Sequence, residues 1–115
     1  MRYLLAIYGD EEAWQSAPAA DREAAYAEYA ALAEELGRRG MMVDGAELEP
    51  TAAATTVRVR DGRTLVADGP FAETKEQLGG YFLVQCDTLD EAIEAAAGIP
   101  AARTGTIEVR PLRER

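Results

Sequence analysis

An α+β domain with an antiparallel sheet is predicted for this chain, and three observations predict it. Strand-like segments lie near both ends, a short apolar run at residues 3–8 and the stretch 105–110. Helix-spaced apolar residues occupy 20–39 and 89–98, and an Asp-Gly pair separates two β-like runs between them. At 115 residues the chain makes one domain with a real but modest core.

Each element has a local cause. Tyr3, Leu4, Leu5, Ala6, Ile7 and Tyr8 form a run short enough for a strand buried on both faces, ended by Gly9-Asp10. In the first helix Ala25, Tyr29, Leu32 and Leu36 recur at spacings of four, three and four, which gives one apolar stripe. Asp21 and Glu23 suit its positive end, Arg38 and Arg39 its negative end, and Gly40 terminates it; Ser16-Ala17-Pro18 offers an earlier start. Residues 41–54 are less regular, with one short strand at most. Residues 56–60 alternate strictly, Asp61-Gly62 is a two-residue hairpin signal, and 63–67 return. Pairing across that turn puts Val57, Val59, Thr64 and Val66 on one face and Arg58, Arg60, Arg63 and Leu65 on the other. Residues 81–86 read as a buried strand. Thr88 and Glu91 form a capping box, opening a helix expected to turn Leu89, Ile93 and Ala96 inward until Gly98 and Pro100 close it. Pro111 stops the last strand. The order is strand, helix, hairpin, strand, helix, strand. With 41–62 set aside as an insertion carrying one strand of the hairpin, it is the ferredoxin-like β-α-β-β-α-β pattern. Two helices on one face leave the other sheet face uncovered, and in a domain this small a second copy is expected to bury it, making a homodimer.

Composition removes several function classes. A net charge of −9 argues against direct nucleic-acid binding and against an anionic membrane surface. No apolar run approaches the roughly 20 residues that span a bilayer, and the N-terminus lacks a basic segment followed by a long apolar one, so a cytoplasmic location is expected. Cys86 is the single cysteine, which excludes an intrachain disulfide and a thiolate zinc site. With no histidine, proton transfer near neutral pH falls to a perturbed Asp, Glu or Tyr, or to Lys75, the single lysine. No dinucleotide or phosphate-loop glycine motif, nucleophile elbow or Cys/His metal spacing occurs, so neither a cofactor nor a metal is expected.

The most informative stretch is residues 68–81, Asp-Gly-Pro-Phe-Ala-Glu-Thr-Lys-Glu-Gln-Leu-Gly-Gly-Tyr. Gly69-Pro70 forces a sharp change of direction and leaves Asp68 at a strand end, on a connection crowded with polar groups. This stretch resembles the signature of the YCII-related (DGPF-domain) proteins. The likeness also covers residues 3–10, 55–62 and 99–111, almost the whole chain. The resemblance implies dimers of the α/β-barrel type. Some members of the wider YciI-like family carry a histidine in the first helix, proposed to pair with an acidic residue; the nearest position here is Tyr29.

Candidate site residues each carry two readings. Asp68, beside Phe71, is a general acid or base if its pKa is raised, or the organiser of its own turn. Tyr29 donates a hydrogen bond to a ligand, or packs in the core as its place on the apolar stripe suggests. Tyr8, Trp14 and Phe71 wall a pocket, or are scattered core residues. Lys75 binds a substrate carboxylate, or belongs to a solvated turn of mixed charge, where Glu73 or Glu76 with Asp68 makes only a weak metal site. Arg58, Arg60 and Arg63 bind phosphate or carboxylate, meet an acidic patch on a partner, or face solvent.

Two functions follow. In one, the chain is a binding or accessory module without turnover. DGPF-domain proteins are often encoded beside, or fused to, extracytoplasmic-function sigma factors, so the resemblance implies a role in transcriptional signalling, through a small ligand or by contact with a sigma factor. In the other, it is a cofactor-free isomerase or lyase acting on a small oxygenated substrate, with Asp68 as acid–base group and Tyr29 or Tyr8 orienting the substrate.

Overall fold

A computed structural model describes residues 1–115. Strand β1 (Arg2–Gly9) leads into helix α1 (Glu11–Ser16) and the long helix α2 (Ala19–Arg38), followed by β2 (Met42–Glu47). A short 3₁₀ turn (Thr51–Ala53) precedes β3 (Thr55–Arg60) and β4 (Arg63–Asp68). Strand β5 (Gln77–Gln85), helix α3 (Leu89–Ala97), a second 3₁₀ turn (Pro100–Arg103) and β6 (Thr106–Pro111) complete the chain. The main sheet has the order β2-β5-β1-β6, all antiparallel, which is compatible with a ferredoxin-like fold; β3 and β4 pair only with each other.

Helices α2 and α3 cover one face of the main sheet. Tyr3 and Leu5 of β1 and Phe82 and Val84 of β5 meet Leu36 of α2, Ala92, Ala95 and Ala96 of α3, and Met41 and Ile99 from the adjoining turns. Left-handed Gly40 (φ 71°) lets the Met41 N–H reach the Leu36 carbonyl at 2.8 Å, which ends α2 and drives Met41 into this core. Asp10 caps α1 by accepting from Ala13 N at 3.1 Å, and Thr88 caps α3 by accepting from Glu91 N at 3.2 Å. Thr88 also donates its hydroxyl to the Glu91 carboxylate at 3.1 Å.

The hairpin register is the one its sequence predicts. Val57 lies opposite Val66 and Val59 opposite Thr64, while Arg58 meets Leu65 and Arg60 meets Arg63. Asp61 (φ 52°) and Gly62 (φ 74°) both take the left-handed conformation of a type I′ turn.

Three expectations are corrected. The strand beside β5 is β2, not 63–67, so the insertion into the β-α-β-β-α-β pattern is the whole β3–β4 ribbon together with its flanking segments. Two glycines admit β2: a Cβ on Gly80 would stand 2.7 Å from the Ala46 carbonyl oxygen, and one on Gly45 3.1 Å from the Phe82 ring. In α3, Leu89 and Ile93 are exposed and Ala92, Ala95 and Ala96 are buried, because the small face permits the helix to lie close on the sheet. Strand β1 is covered by helices on one face only: Tyr3 and Leu5 are buried there, while Leu4 and Tyr8 on the other face remain half-exposed. In addition, the segment 10–18 that precedes α2 contains the short helix α1.

The junction of β6 with the end of β1 is equally tight. A Cβ on Gly105 would lie 2.2 Å from the Tyr8 carbonyl oxygen, whereas one on Gly79 meets nothing closer than 3.9 Å. Overpacking against backbone costs about 1–3 kcal/mol. Gly105→Ala is therefore expected to lower the thermal midpoint by about 5–10 °C and Gly79→Ala to change it much less, both measured by circular-dichroism melts.

Candidate functional site

Residues 69–76 connect the ribbon to the main sheet, which they rejoin at Gln77, opposite Gly9. Backbone bonds hold the start of this connection. Gly69, left-handed at φ 91°, donates its N–H to the Ala54 carbonyl at 2.7 Å, and its own carbonyl accepts from Thr56 Oγ1 at 2.8 Å. Asp68, the last residue of β4, is exposed, and no hydrogen bond within the chain engages its carboxylate. Phe71 is 80% exposed. The turn thus holds a carboxylate and a phenyl ring in the open, three residues apart in sequence and unwalled by the rest of the chain.

The far end of the connection is tied down by side chains. Thr74 Oγ1 donates to the Glu76 carbonyl at 2.6 Å, and Thr106 Oγ1 of β6 donates to Glu76 Oε1 at 2.8 Å. Gln77 Oε1 accepts from the Glu11 N–H at 3.0 Å. The Glu11 carboxylate accepts from Thr51 N at 3.0 Å and from the Thr51 hydroxyl. One network therefore joins the start of α1, the turn before β3 and the sheet end where Tyr8 sits. Lys75 is exposed and takes part in no ion pair of the chain.

The aromatic candidates make no ring contact with one another. Tyr8 is half-buried on the helix-free face of β1, level with Leu78 and Thr106. Trp14 packs edge-on against Tyr26 of α2, with ring centroids 5.4 Å apart. Tyr26 donates its hydroxyl to both carboxylate oxygens of Glu47, at 2.8 and 3.0 Å. Tyr29 sits one turn further along α2, edge-on to Phe82 at 6.3 Å. Ring contacts link Trp14 to Tyr26 and Tyr29 to Phe82; Phe71 joins neither pair. Arg58 and Arg60 lie exposed on the ribbon, remote in pairing from the main sheet.

Both α2 tyrosines hold their protons more firmly than usual. Burial raises the Tyr29 pKa above 10.0, opposed by the nearby Ala101 backbone. The hydrogen bond to Glu47 does the same for Tyr26, with burial adding to it. Glu28 and Arg103, both close enough to act on Tyr29, form an ion pair at 2.8 Å. Glu11, Gln77, Tyr26 and Glu47 escape a reading of sequence because their partners lie 21 to 66 residues away. Only the Asp10 cap beside Glu11 gives a local hint.

At the opposite end of the sheet two open clefts flank Met1 and Gln85, one of about 610 Å³ between the chain termini and one of about 340 Å³ beside Cys86. Burial, followed by the Glu91 charge, raises the Cys86 thiol pKa. No three acidic or cysteine side chains converge in a way that would hold a metal ion, and no helix is long and apolar enough to cross a membrane.

An α+β domain whose sheet carries an inserted ribbon ending in an Asp-Gly-Pro-Phe turn is the class of protein that this geometry defines. A family model for the YCII-related domain matches residues 1–115, and the chain belongs to that family. It is also similar to an uncharacterised protein of Rhizobium meliloti (strain 1021), 40% identical over 114 residues that cover 97% of this chain and 92% of the relative.

A group whose folded pKa is raised contributes stability that is complete below the unfolded value, here about 10, and is lost as pH rises through the folded value. Stability is therefore expected to fall above about pH 10. Tyr29→Phe, which keeps the ring on Phe82, is expected to remove one late-titrating phenol from the 295 nm absorbance titration and to flatten the alkaline loss of the melting temperature. An unaltered titration curve would show that Tyr29 is not the late group.

Proposed function

We propose that this YCII-related protein is a small-ligand-binding or accessory module that acts as a homodimer, with its ligand contacts at the Asp-Gly-Pro-Phe turn. One observation carries the reading: Asp68 and Phe71 stand exposed at the base of the ribbon, where a single chain supplies no enclosing wall. A carboxylate and an aromatic ring on one exposed turn suit a small ligand that offers a hydrogen-bond donor and an apolar body. An exposed carboxylate is poorly placed for acid–base catalysis, which draws on burial to tune the group. The isomerase or lyase alternative sets Asp68 with Tyr29 or Tyr8 as the orienting group, yet Asp68 ends the ribbon, Tyr29 packs on Phe82 in the α2–β5 layer and Tyr8 lies near the end of β1. The uncovered sheet face, with Leu4, Tyr8, Tyr81 and Leu83 half-exposed, supports assembly with a second copy. A net charge of −9 suits contact with a basic protein surface, such as one on a sigma factor, better than contact with DNA.

A thermal-shift screen of small carboxylates, phenols and phosphorylated metabolites against wild type and Asp68→Asn tests the ligand reading, because a ligand that binds the folded state raises the melting temperature by mass action. The expected result is a shift of a few degrees for one compound class, lost in a folded Asp68→Asn protein. Absence of any shift, or one indifferent to Asp68, would move the function to protein contact alone.

A further inference from the structure

The β3–β4 ribbon has no packing partner in its own chain. It pairs only with itself, and every residue from 57 to 68 is exposed. Val57, Val59 and Val66 share one face and are 60, 60 and 64% exposed, while Leu65 on the other face is 48% exposed. An isolated two-stranded hairpin is marginal in water, so a ribbon with bare valines needs a surface to lie on. It also extends the molecule: the radius of gyration is 16.0 Å, against about 13 Å for a compact chain of this length.

Charge indicates what that surface is. Residues 55–68 hold three arginines against two aspartates, a net +1, so the rest of a −9 chain carries −10. Arg58, Arg60 and Arg63 form no ion pair within the chain. On the helix-free face of the main sheet, strand register places Leu4, Ala6 and Tyr8 of β1 beside Leu83 and Tyr81 of β5. Asp44 of β2 lies opposite Leu83 on that face, and its carboxylate accepts only the Gly45 N–H, at 2.8 Å. An apolar strip with a carboxylate at its margin complements a valine ribbon fringed by arginines, whose long stems can curl round the ribbon edge.

We propose that the ribbon is a dimerisation arm: its valine face lies on the helix-free sheet face of a second copy of this chain, with its arginines reaching carboxylates such as Asp44 of that copy. Two reciprocal arms satisfy a two-fold dimer. This rests on the homodimer reading above and specifies its contact surface.

Light scattering after gel filtration at micromolar concentration, with hydrogen exchange of the wild type at dimeric and at diluted, monomeric concentrations, tests it. A wild-type dimer is expected, with slower exchange of amides in 56–67 than in the monomer. Val57→Lys/Val66→Lys should weaken the dimer at least tenfold, about 1.4 kcal/mol, while retaining the circular-dichroism spectrum, since the ribbon contributes nothing to the buried core. A dimer unaffected by the double substitution, with no protection of 56–67, would overturn the arm and leave the homodimer standing. A wild-type monomer would overturn both. If the variant unfolds, the exchange measurement on wild type decides alone.

Discussion

Leu5 and Val84 from neighbouring strands, Leu36 from α2 and Ile99 after α3 are the largest side chains with no accessible surface, and they belong to one core cluster. Full burial of such side chains contributes about 1.5–3 kcal/mol each, and this single apolar layer is what holds helices to sheet. It is also the only such layer. Thirteen of 115 residues are buried and the molecule is 18 Å through its shortest axis, enough for one layer of helix on one layer of sheet. The face turned away from the helices, the ribbon and the open Asp-Gly-Pro-Phe turn all follow from a chain that carries helices for one side of its sheet.

Local chemistry made much of this fold legible. Asp61-Gly62 fixed the hairpin register because both residues accept positive φ, and Thr88 marked the start of α3 because its hydroxyl caps Glu91 N. Of the stripe Ala25, Tyr29, Leu32 and Leu36, Leu36 is fully buried and Tyr29 and Leu32 pack against the core, while Ala25 is half-buried outside that cluster. Strand β2 was legible only as one short strand at most within 41–54, and its place in the sheet was not. Its sequence, Met-Val-Asp-Gly-Ala-Glu, contains residues that strands disfavour, and it forms because Gly45 and Gly80 allow two backbones to approach, a relation between positions far apart in sequence. The hairpin supplied a stronger β signal and so took its place in the sequence reading. Leu89 and Ile93 misled for a related reason: helical spacing identifies two candidate faces in α3, and close packing selected the alanine one.

The candidate site divides along the same line. Asp68, Gly69 and Pro70 could be recognised because a turn is written in consecutive residues. The network that anchors the other end of the connection, Glu11 to Thr51, Gln77 to Glu11 and Thr106 to Glu76, spans 30 to 66 residues per bond and is created by the fold. Its effect is asymmetric. The connection is fastened by side chains where it enters β5, and by the backbone at Gly69 where it leaves the ribbon, so Phe71 to Glu73 between them form the freer stretch.

The proton chemistry bears on what such a stretch can do. Burial and the Glu47 hydrogen bond keep Tyr29 and Tyr26 protonated well beyond neutral pH, so both serve as donors rather than bases. With no histidine in the chain, the side chain whose ordinary pKa lies nearest neutrality is missing. A catalyst working by proton exchange would need Asp68 enclosed, because desolvation is the means by which a carboxylate is brought toward neutral pH. The chain alone leaves Asp68 in water. Enclosure by a second copy would supply the walls that the site lacks in one chain. In this fold, therefore, an enzyme reading of the Asp-Gly-Pro-Phe turn requires enclosure of that aspartate, which the proposed dimer would have to supply.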